Sequence, residues 1–373
     1  MSTMSERQAV SGNQPAEPGP AADPAAAAVA AAEAAVHVTC QPRFAGTEAV
    51  EVHKVVRGEL GEPNLAVFPQ LPDRGVWARQ QARSTAMITE LGFDLQPHGW
   101  RIGVPDGMDA RRARSLLRSD ENLLADVLGA EKKPAARIKL NVLGPWSLAA
   151  GLHLGNGERA VADHGARRDI IEAYAQGLGD WLTRLSRITA LRHFTVQLEE
   201  PVLGAVLDGA LPTASGYRTL RSVPRQEVRQ LLGALVEHVN QHHNVSWVAQ
   251  LAQQDGRWRE RVDLVHQAGI DALVLDPVGL DHAGWERAAA LVESGGRLFL
   301  QVLEPGQKPP GVVQAVKDIL RPWRMLGLGL ERLGALRLMP RGDFSASGAA
   351  EVISCLQALT GYAQALEQTR VDA

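Results

Sequence analysis

The segment RIKLNVLGPWSL, residues 137–148, shows the pattern that decides the fold. A short run of apolar residues ends in a Gly-Pro turn, and a longer pattern follows over residues 164–188, where large apolar side chains recur every three or four positions. Another apolar run then covers residues 194–198. A strand, a helix and a second strand in this order are typical of a parallel sheet with helices packed on it.

The same alternation continues in both directions from this unit. We predict seven strands, each a short apolar run, at residues 36–40, 137–142, 194–198, 245–249, 272–275, 298–302 and 335–339. An eighth strand is predicted near residues 99–103. Seven or eight such units in a chain of 373 residues favour the α/β class and a single (β/α)8 TIM barrel. An open doubly wound sheet is the second interpretation, because the number of strands does not show closure.

The composition excludes several classes of partner. The net charge is −3 with 22% charged residues, and no basic run occurs, so we expect neither a nucleic acid nor a membrane as partner. Every apolar stretch long enough to span a membrane contains charged residues. The two cysteines, Cys40 and Cys355, cannot form a disulfide framework, and we expect a cytoplasmic protein.

The first 35 residues differ from the rest of the chain. Residues 13–35 consist mostly of Ala, Pro, Glu, Asp and Gly, and they offer little apolar surface to bury. We therefore predict a disordered Ala/Pro-rich tail over residues 1–35 and a single TIM-barrel domain over residues 36–373.

Candidate site residues follow the predicted strands, since the active sites of TIM barrels lie at the carboxyl ends of the strands. Glu199 and Glu200 can hold a substrate ammonium, and strand alternation sends them to opposite sides; a salt bridge to a barrel arginine is the alternative. Trp146 follows a Gly-Pro turn that is predicted to project it over the mouth, where it would stack on a flat ring. Packing of Trp146 beneath a loop is the equal alternative. Asp276 is either a ligand-binding carboxylate or a turn residue.

Other reactive side chains carry less weight. Cys40 ends the first predicted strand, but no base is identifiable beside it. Cys355 lies on the apolar stripe of the last predicted helix and is expected in the core. His242 and His243 precede a strand, which places them at the end of the barrel opposite the active site. The catalytic residues therefore stay unassigned.

Six stretches make the chain similar to the barrel domain of cobalamin-independent methionine synthases, and most of all to the short, actinobacterial-type members of that family. They occur in order between residues 65 and 220: Leu71-Pro72-Asp73-Arg74-Gly75, Gln96-Pro97-His98-Gly99-Trp100-Arg101, Gly144-Pro145-Trp146-Ser147-Leu148-Ala149-Ala150, Ala162-Asp163-His164-Gly165-Ala166-Arg167-Arg168-Asp169, Gln197-Leu198-Glu199-Glu200-Pro201 and Thr213-Ala214-Ser215-Gly216-Tyr217. The resemblance implies a TIM barrel of the methionine synthase and uroporphyrinogen decarboxylase type. It also implies methyl transfer from a methyl-pterin donor to a homocysteine-like thiol in methionine biosynthesis, with zinc stabilising the thiolate.

The chain departs from this family at the residues that bind zinc. The resemblance implies a His-Cys pair on one strand, a carboxylate after the next and a cysteine late in the chain. The first strand instead reads Val245-Ser246-Trp247-Val248-Ala249-Gln250, and Gly342 stands at the late position. Only Asp276 matches, so we predict no metal site and leave the cofactor unknown.

Two substrate-binding elements differ as well. Glu199-Glu200-Pro201 replaces an Asp-Glu-Pro signature, and Thr39-Cys40-Gln41-Pro42-Arg43 replaces a Gly-Ser-x-Pro element. We therefore predict a methionine synthase homologue whose methyltransferase activity is altered or absent, with Glu199, Glu200 and Trp146 in contact with substrate. The alternative is a non-catalytic barrel that keeps a pterin or amino-acid pocket and acts as a binding or partner protein. A lyase similar to uroporphyrinogen decarboxylase is a third interpretation, although the N-terminal arginine motif of that family is missing.

Overall fold

The computed structural model describes residues 24–103, 107–133, 135–253 and 257–373, and it forms nine strands within them. In chain order these are β1 (His37–Val38), β2 (Gly92–Gln96), β3 (Gly99–Gly103), β4 (Arg137–Leu143), β5 (His193–Glu200), β6 (Asn244–Leu251), β7 (Ala272–Leu275), β8 (Arg297–Leu303) and β9 (Leu336–Pro340). Seven of them form one parallel sheet in the order β1-β9-β8-β7-β6-β5-β4. This sheet contains all seven strands that the sequence predicts.

Residues 65–70, here called the closing segment, join the two edges of the sheet. The backbone N–H of Leu65 donates to the carbonyl oxygen of Val38 on β1 at 2.8 Å. On the other side, Phe68 donates to the carbonyl of Lys139 on β4, and Lys139 donates to the carbonyl of Ala66, both at 2.9 Å. The closing segment therefore occupies the eighth strand position, and the fold is the predicted (β/α)8 barrel rather than an open sheet.

The strand predicted near residues 99–103 is present, but it is not the eighth strand of the barrel. These residues form β3, which pairs antiparallel with β2 in a separate two-stranded hairpin. The closing segment is hard to recognise as the eighth strand of the barrel from its sequence, because it contains Pro69 and proline is rare inside strands.

Twelve α-helices occur in the described residues. They are α1 (Pro24–Ala34), α2 (Ala49–Glu59), α3 (Gln80–Met87), α4 (Met108–Gly129), α5 (Pro145–Gly151), α6 (His164–Ile188), α7 (Leu203–Asp208), α8 (Arg225–Asn240), α9 (Trp258–Gln267), α10 (His282–Glu293), α11 (Val312–Met325) and α12 (Ala349–Val371). The longest, α6, begins where the carboxylate of Asp163 accepts a hydrogen bond from the N–H of Ala166 at 2.8 Å. No helix of the described residues is both long and apolar enough to cross a membrane.

Apolar side chains fill the middle of the barrel. Strand alternation points these residues inward, and they form a cluster separate from the larger core between strands and helices. Its members are Leu65, Val248, Ala272, Val274, Phe299 and Met339. This layer separates the amino-terminal end of the barrel from the carboxyl-terminal end, which we call the mouth.

Helix α1 lies at the amino-terminal end of the barrel, within the tail that the sequence predicts to be disordered. Residues 1–23 of that tail lie outside the described residues, whereas residues 24–34 form α1. The carboxylate of Glu33 contacts Arg137 at 2.8 Å and Arg337 at 3.2 Å. The difference from the prediction has an electrostatic cause, because α1 is held by ion pairs that an apolar pattern does not reveal.

Candidate functional site

Four carboxamides lie side by side at the mouth, and we call them the amide floor: Gln41, Asn141, Gln197 and Gln250. They occupy inward-facing positions at or just after the carboxyl ends of β1, β4, β5 and β6. Gln197 Nε2 donates to Gln250 Oε1 at 2.6 Å, and Asn141 Nδ2 donates to Gln41 Oε1 at 3.1 Å. Gln41 Nε2 donates to Gln250 Oε1 at 3.0 Å, which links the whole set.

Two acceptors of the amide floor have no donor beside them. Asn141 Oδ1 and Gln197 Oε1 are buried and have no hydrogen-bond partner in the part of the chain that the structure describes. An unpaired buried oxygen is costly, and in native proteins it usually marks a bound water or ligand. The floor is therefore incomplete without a further molecule.

Glu199 faces the interior of the barrel beside the amide floor. Its Oε1 accepts from Asn141 Nδ2 at 3.2 Å and its Oε2 accepts from Arg43 Nη1 at 3.1 Å. Arg43 also donates through Nε to Asp343 at 2.7 Å, and burial opposes its charge while Glu199 and Asp343 raise the pKa of Arg43 above its usual range. The carboxylate of Glu199 is thus already neutralised by the protein.

Glu200 points the other way, as strand alternation predicts, and it lies outside the barrel interior. Its carboxylate accepts from the backbone N–H groups of Trp146 at 2.9 Å and Ser147 at 2.8 Å, and from Ser147 Oγ at 2.6 Å. These are the first N–H groups of α5, so Glu200 caps that helix. Burial raises the pKa of Glu200 to about 7. The structure does not bring Glu200 to the mouth with Glu199, because its carboxylate is engaged by the terminus of α5.

The structure does not bring Trp146 to the mouth either, and of the two predicted alternatives it shows the packed one. Its side chain is 0% exposed and belongs to the core between strands and helices. The preceding turn has no room for a side chain at position 144, since a Cβ atom there would lie 2.3 Å from the carboxyl carbon of Glu200. Glycine at this position lets the chain approach Glu200, which turns Trp146 inward rather than over the mouth.

The zinc of the resembling family does not fit the described residues. The Oδ1 of Asp276 accepts a hydrogen bond from Arg341 Nε at 3.1 Å. A cation already in contact with this carboxylate disfavours the binding of a metal ion there. Cys40 and Cys355 are both buried, and burial raises the pKa of each thiol to about 12. Among the described residues, no group of three His, Cys, Asp or Glu side chains is placed to hold a metal.

A cavity of about 520 Å³, here called the mouth cavity, opens above the ends of β6, β7 and β8. Gln250 and Gln301 lie in its lining, together with Gln253 and Asp276. Gln253 braces two loops, because its Oε1 accepts from the N–H of Asp276 at 2.7 Å and its Nε2 donates to the carbonyl of Asp276 at 3.3 Å. Gln301 is 8% exposed, and its amide has no hydrogen-bond partner in the described chain.

Sequence reasoning missed the amide floor and Gln301. It examined residues that follow the predicted strands, whereas Asn141, Gln197 and Gln301 lie on the strands themselves, and Gln250, directly after the predicted strand 245–249, was not singled out. The sequence did contain a signal for these amides. Each of them is a polar residue at an inward-facing position of a strand that is otherwise apolar or that ends in carboxylates.

Comparisons with known proteins give structural neighbours only. No sequence-family model matches the chain, and no curated protein matches it. A B12-independent methionine synthase from Shewanella sp. W3-18-1, in complex with selenomethionine, is 11% identical with a TM-score of 0.46, over 77% of each chain. A methyltransferase from Methanosarcina mazei is 13% identical with a TM-score of 0.49, over 88% of this chain and 96% of that chain. A putative fructose-1,6-biphosphate aldolase from Coccidioides immitis is 15% identical with a TM-score of 0.37, over 94% and 95% of the two chains. At these levels of similarity the activity of a neighbour does not transfer to this chain.

Proposed function

We propose that this barrel binds a small, flat, polar molecule of the pterin type in the mouth cavity and does not activate a thiol through zinc. One observation supports the proposal most: Gln250 and Gln301 line the cavity, and the amide nitrogen of the first and the whole amide of the second have no described protein partner. The Oε1 of Gln250 accepts from Gln41 and Gln197, while its Nε2 has no described partner, and the amide of Gln301 has none at either atom.

The pairing of charges at the mouth favours a neutral ligand edge. Glu199 is paired with Arg43 and Asp276 with Arg341, so each of these carboxylates already has a cation beside it. The unmatched groups are carboxamides, which present a donor and an acceptor side by side. A pterin ring carries neighbouring N–H and C=O groups that match such an edge, and the cavity is of a size typical for small-molecule sites.

An amino acid fits the mouth less well. Its ammonium would need Glu199, whose side chain is only 8% exposed and already contacts Arg43 at 3.1 Å. Binding would have to displace the arginine from the carboxylate, at the cost of a charge-assisted hydrogen bond. Contact between Glu199 and a substrate ammonium, which the sequence predicts, is therefore less favoured than binding of a neutral pterin.

Methyl transfer to a homocysteine-like thiol is the activity that the family resemblance implies. The thiol must become a thiolate, which requires a metal or a base beside it. The described mouth residues offer amides and paired ions instead, Cys40 is buried in the core between strands and helices, and the buried amine of Lys139 donates to the carbonyl of Cys40 at 2.8 Å. This supports the prediction that such activity is altered or absent.

Calorimetric titration of the full chain with folic acid tests the proposed binding. We expect saturable binding, and we expect Gln301→Leu to weaken it about tenfold or more, because the ring would lose hydrogen bonds in a desolvated site. Gln241→Leu is the matched control, since Gln241 is exposed at the opposite end of the barrel and its loss should leave the affinity unchanged. Absence of binding, or equal affinities for all three proteins, would overturn the proposal.

A second assay separates binding from methyl transfer. The purified chain is incubated with 5-methyltetrahydrofolate and homocysteine in the presence of zinc, and methionine is measured together with the zinc bound per chain. We expect no methionine and much less than one zinc per chain. Methionine formed in proportion to the amount of protein, with about one zinc bound per chain, would contradict this expectation and indicate a zinc-dependent methyltransferase.

A further inference from the structure

A second cavity, of about 500 Å³, lies outside the barrel between α10, α11 and the outward face of β8. We call it the side groove. Leu300 and Val302 of β8 form its base, Trp285 of α10 forms one wall and Ile319 of α11 forms the other. The proposed function of the mouth cavity does not involve this groove.

The side groove exists because the two helices stand apart over β8. Helices of a TIM barrel normally cover the outward side chains of the strands. Here Val302 remains half-buried, and so does Trp285, although both side chains are large and apolar. An apolar concavity of this kind that stays open to solvent is typical of a ligand site.

The groove has a cation at one end. Arg341 follows β9 and therefore lies at the mouth end of the barrel, where it lines the groove. Its Nε donates to Asp276 Oδ1 at 3.1 Å, whereas its two Nη groups have no described hydrogen-bond partner. Asp276 thus fixes the guanidinium plane and leaves the fork of N–H groups for another acceptor.

The remaining charges of the groove lie on α11 at its rim. Asp318 accepts two hydrogen bonds from Gln314 Nε2, both at 2.9 Å, and Arg321 is exposed beside it on the same helix. These opposite charges balance each other. Since α11 runs antiparallel to β8, Met325 lies at the end of the groove away from Arg341, where Pro322, Met325 and Leu326 form an apolar lining and the exposed Arg321 lies at the rim.

We propose that the side groove binds a medium-chain aliphatic carboxylic acid. The carboxylate pairs with the Nη groups of Arg341, which match a carboxylate in two-pronged geometry. The alkyl chain lies along Leu300 and Val302 between Trp285 and Ile319, where it replaces water on apolar surface. Charge at one end and apolar walls beyond it fit this class of ligand better than a neutral hydrocarbon or a cation.

Titration of the full chain with decanoate, followed by calorimetry and by tryptophan fluorescence, tests the proposal. We expect saturable binding of decanoate, and weaker binding of decanol. Arg341→Met should weaken decanoate binding about tenfold or more and leave decanol unaffected, because only the charge-assisted contact is lost. Val302→Trp should abolish binding of both by filling the groove. Arg324→Met, which removes an exposed arginine of α11 outside the groove, should change nothing.

Two outcomes would overturn the proposal. One is a wild-type chain that does not bind decanoate, and the other is a folded Val302→Trp protein that binds it as the wild type does. Folic acid titration of Val302→Trp keeps the two sites apart, since the mouth cavity should bind as before. Loss of decanoate binding with intact folic acid binding, or the reverse, distinguishes the failure of one proposal from the failure of the other.

Discussion

The buried polar side chains at the two ends of the barrel differ in charge and in the partners that they contact. At the amino-terminal end, Arg137 and Arg337 are buried, and both pair with Glu33 of α1. At the mouth, the amide floor is neutral and leaves Asn141 Oδ1 and Gln197 Oε1 without a described partner. Unpaired buried atoms occur at both ends, since Arg337 Nε also lacks a described partner, so the difference between the ends is one of charge. Paired charges at the amino-terminal end stabilise the fold, whereas the neutral amides at the mouth are groups that a molecule from outside can pair with.

The carboxylates near the two ends show the same contrast in their pKa values. Burial opposes the charge of Glu33, but the arginines around it, Arg337 and Arg297 foremost, lower its pKa below the usual range. Burial of Glu200 beneath the mouth, with no arginine in contact, raises its pKa to about 7. The same physical cost of burial is thus overcome at one end and not at the other.

Removal of the charge of Glu33 should have the largest effect. Glu33→Gln leaves Arg137 and Arg337 buried without their shared carboxylate, and breaking a buried ion pair in this way costs about 3–5 kcal/mol of unfolding free energy. Urea denaturation of both proteins measures the difference. Glu51→Gln, which breaks only the exposed pair with Lys54, is the matched control and should stay within about 0.5 kcal/mol. Equal effects of the two substitutions would refute the role of α1 as a structural part of the barrel.

The pH dependence of the Glu33 contribution sharpens this result. Because the folded-state pKa of Glu33 is depressed, its stabilisation is present above the ordinary value of 4.5 and is lost as the pH falls through the folded value. The difference in stability between wild type and Glu33→Gln should therefore shrink below pH 4.5. A difference that stays constant into acid would mean that the carboxylate does not act through its charge.

Glu200 should show the opposite dependence in a different pH range. Its pKa rises from 4.5 in the unfolded chain to about 7 in the fold, so the folded state holds its proton longer and stability falls as the pH rises between these values. We expect a loss on the order of 2–3 kcal/mol across this range, relative to Glu200→Gln, which cannot ionise. Thermal unfolding of both proteins at pH 4.5 and pH 7 measures it. Parallel pH profiles would contradict the burial at this position of a carboxylate that has hydrogen bonds but no cation beside it.

Much of the fold could be predicted from the sequence, because buried parallel strands and amphipathic helices have distinct apolar periods. Glu199 and Glu200 were separable for the same reason, since strand alternation places them on opposite sides. The roles of Glu200 and Trp146 could not be predicted, because they depend on which helix terminus lies beside the strand. Glu33 was missed because its partners are far away in sequence, on β4, β8 and β9.

Gln301 should have the smallest effect on stability and the most specific one on binding. Its amide has no described partner, so Gln301→Leu should change the unfolding free energy by less than about 1 kcal/mol while it weakens the binding of folic acid. Gln197→Leu is the contrasting variant, because Gln197 Nε2 donates to both Gln41 and Gln250. Urea denaturation should show a larger loss for Gln197→Leu than for Gln301→Leu. The reverse order would show that Gln301 is a structural residue.

Hydrogen exchange of the full chain with and without folic acid compares the two ends most directly. We predict that folic acid slows exchange at the mouth, in residues 249–253 and 300–304, where Gln250 and Gln301 lie. Exchange at the amino-terminal end, around Glu33 and at the first residues of β4 and β9, should stay unchanged. Protection confined to the amino-terminal end, or no protection at either end at saturating folic acid, would contradict the assignment of binding to the mouth.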